Sequence, residues 1–364
     1  MLLRISPLVF ACALLVCAPS HAGKALIVAQ SIDLSGPNGS IGRDYVAGIT
    51  TYFDSVNQKG GLNGRKIQYV VRDDHGAPAE AAANVTTLIK DDHPDYLLGT
   101  LGNEATRAIA AAPAFTNSRH VLFAPLADSS ASADPRVLFW RPSIETELLF
   151  LLSYFEKLGI RDVGIALQAS PQHQRAFQFL ASEMRKRGIK LSGVAKISSD
   201  KAVLMQEAQR LNKSGAKLVI SIGDTVGAAQ FLRAFRTYDQ ATFVAGTSLI
   251  NLTTLSEIAG ARATEFTVFS QVVPNPSSTV TALQAEHAEM MKRFRDEPVS
   301  SVTLEGFAVA KTLVKMMKLD VPALAPSKTP IDLGGFTLMP SLAGQNLSRY
   351  VDIALFKRGG GLMY

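Results

Sequence analysis

Short unbroken apolar runs alternate along this chain with longer stretches in which apolar side chains return every three or four positions. Ala25-Leu26-Ile27-Val28-Ala29 has no polar alternation, which is the pattern of a parallel strand buried on both faces. Val46, Ile49, Phe53 and Val56 then share one helical face, and Gly60-Gly61 supplies a C-terminal stop. Asn63-Gly64 turns the chain into a second strand over 67–71, completing a β-α-β unit. Helices over 78–90 and 104–115 are expected to precede strands over 96–99 and 121–124. After Trp140-Arg141-Pro142 a second series begins, with a helix over 148–158, a strand over 163–167 and a helix over 174–187. Strands over 191–197, 218–222 and 242–245 follow, separated by helices over 205–213 and 228–238. A strand over 266–269 leads into Gln271-Val272-Val273-Pro274-Asn275-Pro276, and long helices over 282–295 and 302–318 complete the pattern. Such alternation predicts an α/β protein of two doubly wound, Rossmann-like lobes with a cleft between them.

The first 22 residues depart from this pattern. Arg4 is their only charge, residues 8–16 form a short apolar run, and Ser20-His21-Ala22 places small residues at a cleavage site. These features predict a signal peptide over 1–22, a mature chain from near Gly23 and export to the periplasm. The run is too short to span a membrane, and no later stretch has that length. Both cysteines, Cys12 and Cys17, fall inside this segment, so the mature chain is expected to hold no thiol, disulfide or thiolate metal site. Val16 beside Cys17 is bulkier than lipoprotein processing accepts, which argues against a lipid anchor there.

Composition narrows the function classes. Hydrophobic residues make up 47% and charged residues 19% of the chain, a balance that favours packed cores over disorder. Removing Arg4 lowers the formal net charge from +6 to +5. The remaining cations are dispersed except at Arg185-Lys186-Arg187, the end of a predicted helix, where cations are favoured. No nucleic-acid surface is therefore expected.

Catalytic patterns are missing. GGLNGRK lacks the spacing and hydroxyl of a phosphate-binding loop, and GPNGSIG has no lysine to reach a phosphate. No nucleophile elbow or zinc-binding helix occurs, and no two of the histidines at 75, 93, 120, 173 and 287 share a metal-binding helical spacing. Asp91-Asp92-His93 reads as a helix end before Pro94, and Asp73-Asp74 lies just past a strand end, where capping is the common role. No metal and no cofactor are expected, and an enzyme is the weaker reading.

The stretches LSGPNGSIGRDYVAGI, VNQKGGLNGRKI and VVRDDHGAPAEAAANVTTLI resemble the type I periplasmic solute-binding proteins, specifically their leucine/isoleucine/valine-binding branch. GTLGNEAT, FAPLADSS, the crossing at Trp140 to Pro142, LRAFR and FKRGGG extend the resemblance over the mature chain, with GGLNGRKI its most specific part. The resemblance implies two lobes joined by a three-crossing hinge, residues 23–141 with 272–340 in the first and 142–271 with 341–364 in the second. It also implies a monomer that closes on a small polar organic ligand, amino-acid-like or related, and delivers it to the permease subunits of an ABC importer. A sensory subunit of a membrane signalling system and an exported α/β enzyme stay open as alternatives, because a fold alone does not fix function.

Carried over residue by residue, the resemblance places Ile41 in the glycine-rich lip DLSGPNGSIG against the ligand. It assigns a ligand carboxylate to the loops holding Asn103, Glu104, Ala124, Leu126 and Asp128. Asn103 either caps its helix or contacts ligand, and both roles stay open. Asp128 stands where the branched-chain binders have threonine, and a carboxylate there would oppose the ligand's own. In the second lobe the family's covering aromatics give way to Gln172-His173 and Asp224-Thr225, and its ammonium-binding acid falls near Thr247-Ser248. Asp128 and Asp224 are thus expected either to face the cleft as carboxylates that select a cationic or hydroxyl-rich ligand, or to serve as turn acceptors.

Overall fold

The computed structural model describes residues 24–318, 330–338, 346–359 and 361–364. The expected signal peptide, both cysteines and the expected third crossing at Met339-Pro340 lie outside these residues.

The first series runs β1 (Leu26–Ile32), α1 (Gly39–Gln58), β2 (Ile67–Asp73), α2 (Pro78–Thr87), β3 (Tyr96–Leu98), α3 (Asn103–Ala111), α4 (Pro113–Thr116), β4 (Leu122–Phe123) and β5 (Val137–Leu138). Its five strands form a parallel sheet in the order β2-β1-β3-β4-β5. Three points differ from the periodicity, the first being β5, a strand absent from the expected elements. α1 begins at Gly39, inside the glycine-rich stretch, and the helix expected over 104–115 breaks before Pro113, whose ring cannot continue a helix without losing a backbone bond.

The second series runs α5 (Ile144–Lys157), β6 (Asp162–Gln168), α6 (Pro171–Lys186), β7 (Lys190–Ile197), α7 (Lys201–Asn212), β8 (Leu218–Ile222), α8 (Thr225–Phe235), β9 (Phe243–Gly246), α9 (Leu252–Ala259), α10 (Ala261–Thr264) and β10 (Thr267–Gln271). α11 (Ala282–Phe294) and α12 (Ser301–Lys318) return to the first lobe and pack on α1, and the small hairpin β11 (Ile331–Asp332) and β12 (Thr337–Leu338) joins the same core. β13 (Asp352–Phe356) and β14 (Leu362–Met363) complete a seven-stranded second sheet, order β14-β13-β10-β9-β8-β6-β7. β13 and β14 are antiparallel, so this sheet is parallel except at one edge.

The lobes have separate cores. Tyr45, Phe53, Phe307 and Leu304 centre one, while Phe231, Phe235, Leu255 and Phe269 belong to another. Between them, residues 346–348 run beside the first crossing. Leu347 and Ser348 donate their N–H groups to the carbonyls of Phe139 and Trp140, each at 2.8 Å. Trp140 is pinned in turn by its indole N–H to Thr312 Oγ1 of α12 at 2.9 Å.

Candidate functional site

The carboxyl ends of the two sheets face each other across a cleft of about 390 Å³, lined by both lobes, where open α/β sheets bind ligands. Asp33, just past β1, builds the first lip. Its carboxylate accepts the N–H groups of Gly36 at 2.6 Å and Asn38 at 2.9 Å, curling DLSGPN into a turn that leads straight into α1. The glycines there serve close packing. A Cβ on Gly36 would stand 2.2 Å from the His75 carbonyl oxygen, and one on Gly42 1.7 Å from that of Asp33. Ile41, in the first turn of α1, reaches the cleft.

Next along this wall, Gly102 takes φ 96°, a left-handed conformation suited to glycine, and starts α3 without any side-chain cap. Asn103, the first residue of α3, is almost completely buried and lines the cleft. Its Oδ1 accepts the N–H of Asp128 at 2.8 Å, which fixes the orientation of the amide. Nδ2 is therefore a donor, and it is buried with no hydrogen-bond partner. Beside it lie the N–H groups of the helix terminus, so this corner presents positive potential and donors toward the cleft.

The second wall is a set of strand-to-helix turns. Ser170 caps α6 through the His173 N–H at 3.1 Å, with Pro171 as the first helical residue, a position where proline's missing N–H costs nothing. Gln172 and His173 face the cleft. Burial pushes the His173 imidazole below its ordinary value, outweighing the Gln168 carbonyl and Asp224 charge that pull it up, so the ring is neutral at pH 7. Asp224 caps α8 through Gly227 N–H at 2.7 Å. It also exchanges two bonds with Gln168, receiving from Nε2 at 2.6 Å and donating its own N–H to Oε1 at 2.7 Å.

The structure gathers seven of the ten expected residues on the cleft: Ile41, Asn103, Glu104, Leu126, Gln172, Asp224 and Thr247. Three stand elsewhere. Ala124 is buried at φ 56° with its carbonyl accepting the Tyr45 hydroxyl at 3.0 Å. Asp128 is not among the lining residues, and its two carboxylate oxygens are taken by the N–H groups of Ser130 and Ile144, each at 2.9 Å. That corrects the expectation of a ligand-selecting carboxylate at 128 in favour of the turn-acceptor role. Ser248 is held from behind, its hydroxyl by Arg141 Nη2 at 2.9 Å and its N–H by Glu147 Oε2 at 2.8 Å. Asp224 combines the two expectations, since it lines the cleft while both oxygens serve the turn. Asp33, Ser170, Ile144, Ile222 and Leu249 also line the cleft and were not singled out beforehand. The signal available for Asp33 and Ile222 was their place at strand carboxyl ends.

Among the described residues no lysine or arginine lines the cleft, whereas Asp33, Glu104 and Asp224 do. Among the described residues no cluster of three or more His, Cys, Asp or Glu is arranged to hold a metal, and no helix is long and apolar enough to cross a membrane.

The family model described as periplasmic binding protein matches residues 27–322. The chain belongs to the periplasmic binding protein family. Its resemblance to the Leu/Ile/Val-binding branch meets a local likeness among curated relatives. It is 39% identical over 83 residues to a Leu/Ile/Val-binding protein homolog 4 of Brucella abortus, a match covering 22% of this chain and 20% of that protein. It is 32% identical over 90 residues, 24% of this chain and 22% of the relative, to the chemotactic signal transduction system substrate-binding protein BasB of Halobacterium salinarum. The chain thus spans about a fifth of the length of the curated relatives it matches. In fold it is similar to the branched-chain amino acid transporter substrate-binding protein LivJ of Streptococcus pneumoniae, with a TM-score of 0.80 at 15% identity, covering 93% of this chain and 98% of that one. These relatives are binding proteins rather than enzymes.

Proposed function

We propose that this periplasmic binding protein closes its two lobes on one small amino-acid-like molecule and delivers it to an ABC importer in the inner membrane. The observation that carries the reading is Asn103 Nδ2, a buried donor without a partner beside an uncapped helix N-terminus on the cleft wall. A buried polar group left unsatisfied costs about 1–3 kcal/mol, and a ligand carboxylate at this corner would satisfy it and the helix terminus together. The objection raised by Asp128 weakens, since both its oxygens already accept backbone N–H groups, from Ser130 and from Ile144. The solved LivJ structure is a complex with isoleucine, which supports an amino-acid-like ligand here. The acids along the lining, with no lysine or arginine among its described residues, disfavour a ligand of multiple negative charge.

The test is a thermal-shift screen of amino acids and related metabolites. A ligand at a hundred times its dissociation constant adds about 2.7 kcal/mol of stability, so a cognate compound should move the melting point by several degrees. A screen in which only phosphates or dicarboxylates stabilise the protein would overturn the reading. A sensory role is a second reading, favoured by the likeness to a chemotactic substrate-binding protein. Loss of uptake in a deletion strain supports transport, and loss of chemotaxis with uptake intact supports sensing.

A further inference from the structure

Seven buried side-chain polar atoms among the described residues lack a hydrogen-bond partner, and only two belong to residues that line the cleft. One is Asn103 Nδ2 in the first lobe, and the other is Nδ1 of His173 in the second. Buried polar groups in folded proteins are almost always paired, so an unpaired group on each of two facing walls asks for a molecule between them.

The geometry points to His173 as the second-lobe residue that fixes ligand identity, pairing with an uncharged hydroxyl or carboxamide at the far end of a ligand whose acceptor end sits at Asn103. This deepens the amino-acid-like reading above and rests on it. The position of the ring is set by the chain around it. Proline at 171 and the Ser170 cap fix the first turn of α6, and His173 is the third residue of that turn. A neutral imidazole carries one N–H and one lone pair, and the Gln168 carbonyl that acts on the ring takes the N–H, so what remains is an acceptor, which serves the donor of a hydroxyl or carboxamide and not a carboxylate or an aliphatic tail. Asp224 is the carboxylate that acts on the ring. Its oxygens are engaged by Gln168 and Gly227, and it makes no hydrogen bond to His173. One ring nitrogen is thus left for the ligand. Gln172, the preceding residue, adds a second carboxamide-compatible side chain to the same wall.

Titration calorimetry with L-glutamine, L-glutamate and L-leucine tests the inference on the wild-type protein and on His173→Phe, His173→Asn and Asn103→Ala. The wild type should bind glutamine at least about tenfold more tightly than the other two. His173→Phe keeps ring volume without nitrogen and should lose at least about tenfold for glutamine while leaving leucine within about threefold. His173→Asn should recover most of the glutamine affinity. Wild-type preference for leucine or glutamate, or glutamine binding unchanged in His173→Phe, overturns the assignment. If none of the three binds the wild type, the inference fails, whereas the underlying reading fails only if no amino acid or related metabolite binds. Asn103→Ala should weaken every ligand that binds, and its failure to do so counts against the underlying reading rather than against His173.

Discussion

The guanidinium of Arg141 grips both carboxylate oxygens of Glu305, Nε to Oε1 at 3.1 Å and Nη2 to Oε2 at 3.2 Å, with both side chains buried at the first crossing between the lobes. Nη2 also reaches Ser248 in the second lobe, and Glu147 of α5 accepts the Ser248 N–H and the Ser270 hydroxyl. Burial pushes the Glu305 carboxyl up, and the Arg141 charge pulls it back. One ion pair thereby holds the back of the loop whose Thr247 faces the cleft.

Glu305→Ala should strand the guanidinium in the interior and cost about 3–5 kcal/mol. Arg141→Met alone should be similarly harmful, while Arg141→Met with Glu305→Leu should recover part of the loss. Urea denaturation of the three variants checks this, and additive losses would show that the pair is not coupled.

α1 and α12 touch backbone to backbone through glycines. A Cβ on Gly48 would lie 2.0 Å from the Thr303 carbonyl oxygen, and one on Gly306 2.2 Å from that of Tyr45. Gly48→Ala or Gly306→Ala should therefore force the helices apart and lower stability by about 1–3 kcal/mol despite alanine's better helix propensity. A melting temperature equal to or above that of the parent would contradict this packing.

His287, buried between α11 and α12 against Thr303 and Phe307, has its imidazole pushed down by burial from 6.5 to about 4. The unfolded chain accepts a proton that the folded one resists. The contribution of the neutral ring is therefore whole above about pH 6.5 and is lost as pH falls toward 4, by up to about 3 kcal/mol. Between those values the stability of His287→Gln should fall less steeply with acid than that of the wild type. Parallel pH profiles from chemical denaturation would remove His287 as a cause.

Asp224 should behave as a turn-builder before anything else. Asp224→Ala removes the α8 cap and leaves Gln168 Nε2 without its acceptor, a loss of about 1–2 kcal/mol. Asp224→Asn keeps an accepting oxygen for Gly227 and should lose less. Equal losses for the two, measured by chemical denaturation, would mean that charge rather than capping is what α8 requires.

Much of the architecture was legible because parallel strands buried on both faces read as unbroken apolar runs. β1, β6 and β8 stand out in this way. β13 is only partly buried along its length, and β14 has two residues, too short for any alternation to register. Cleft positions were legible where they end a strand or start a helix, as at Asn103, Gln172 and Asp224. Side-chain direction was not. Asp128 turns toward Ile144, 16 residues onward, and Ser248 meets Arg141 across 107 residues. Nothing local to either residue signals those partners, because the lobe crossing alone brings them together.

The account stands on ligand binding at the Asn103 corner, and the most direct measurement is the ligand-induced melting shift of wild-type protein beside that of Asn103→Ala. Removing the amide also removes its bond to Asp128 N–H, so the unliganded melting temperature of the variant serves as the folding control. The account predicts that an amino-acid-like compound raises the wild-type melting temperature by several degrees and shifts a folded Asn103→Ala by about half as much or less, because a lost charge-assisted contact weakens binding by about 1.5–3 kcal/mol. Equal shifts in the two proteins would contradict it.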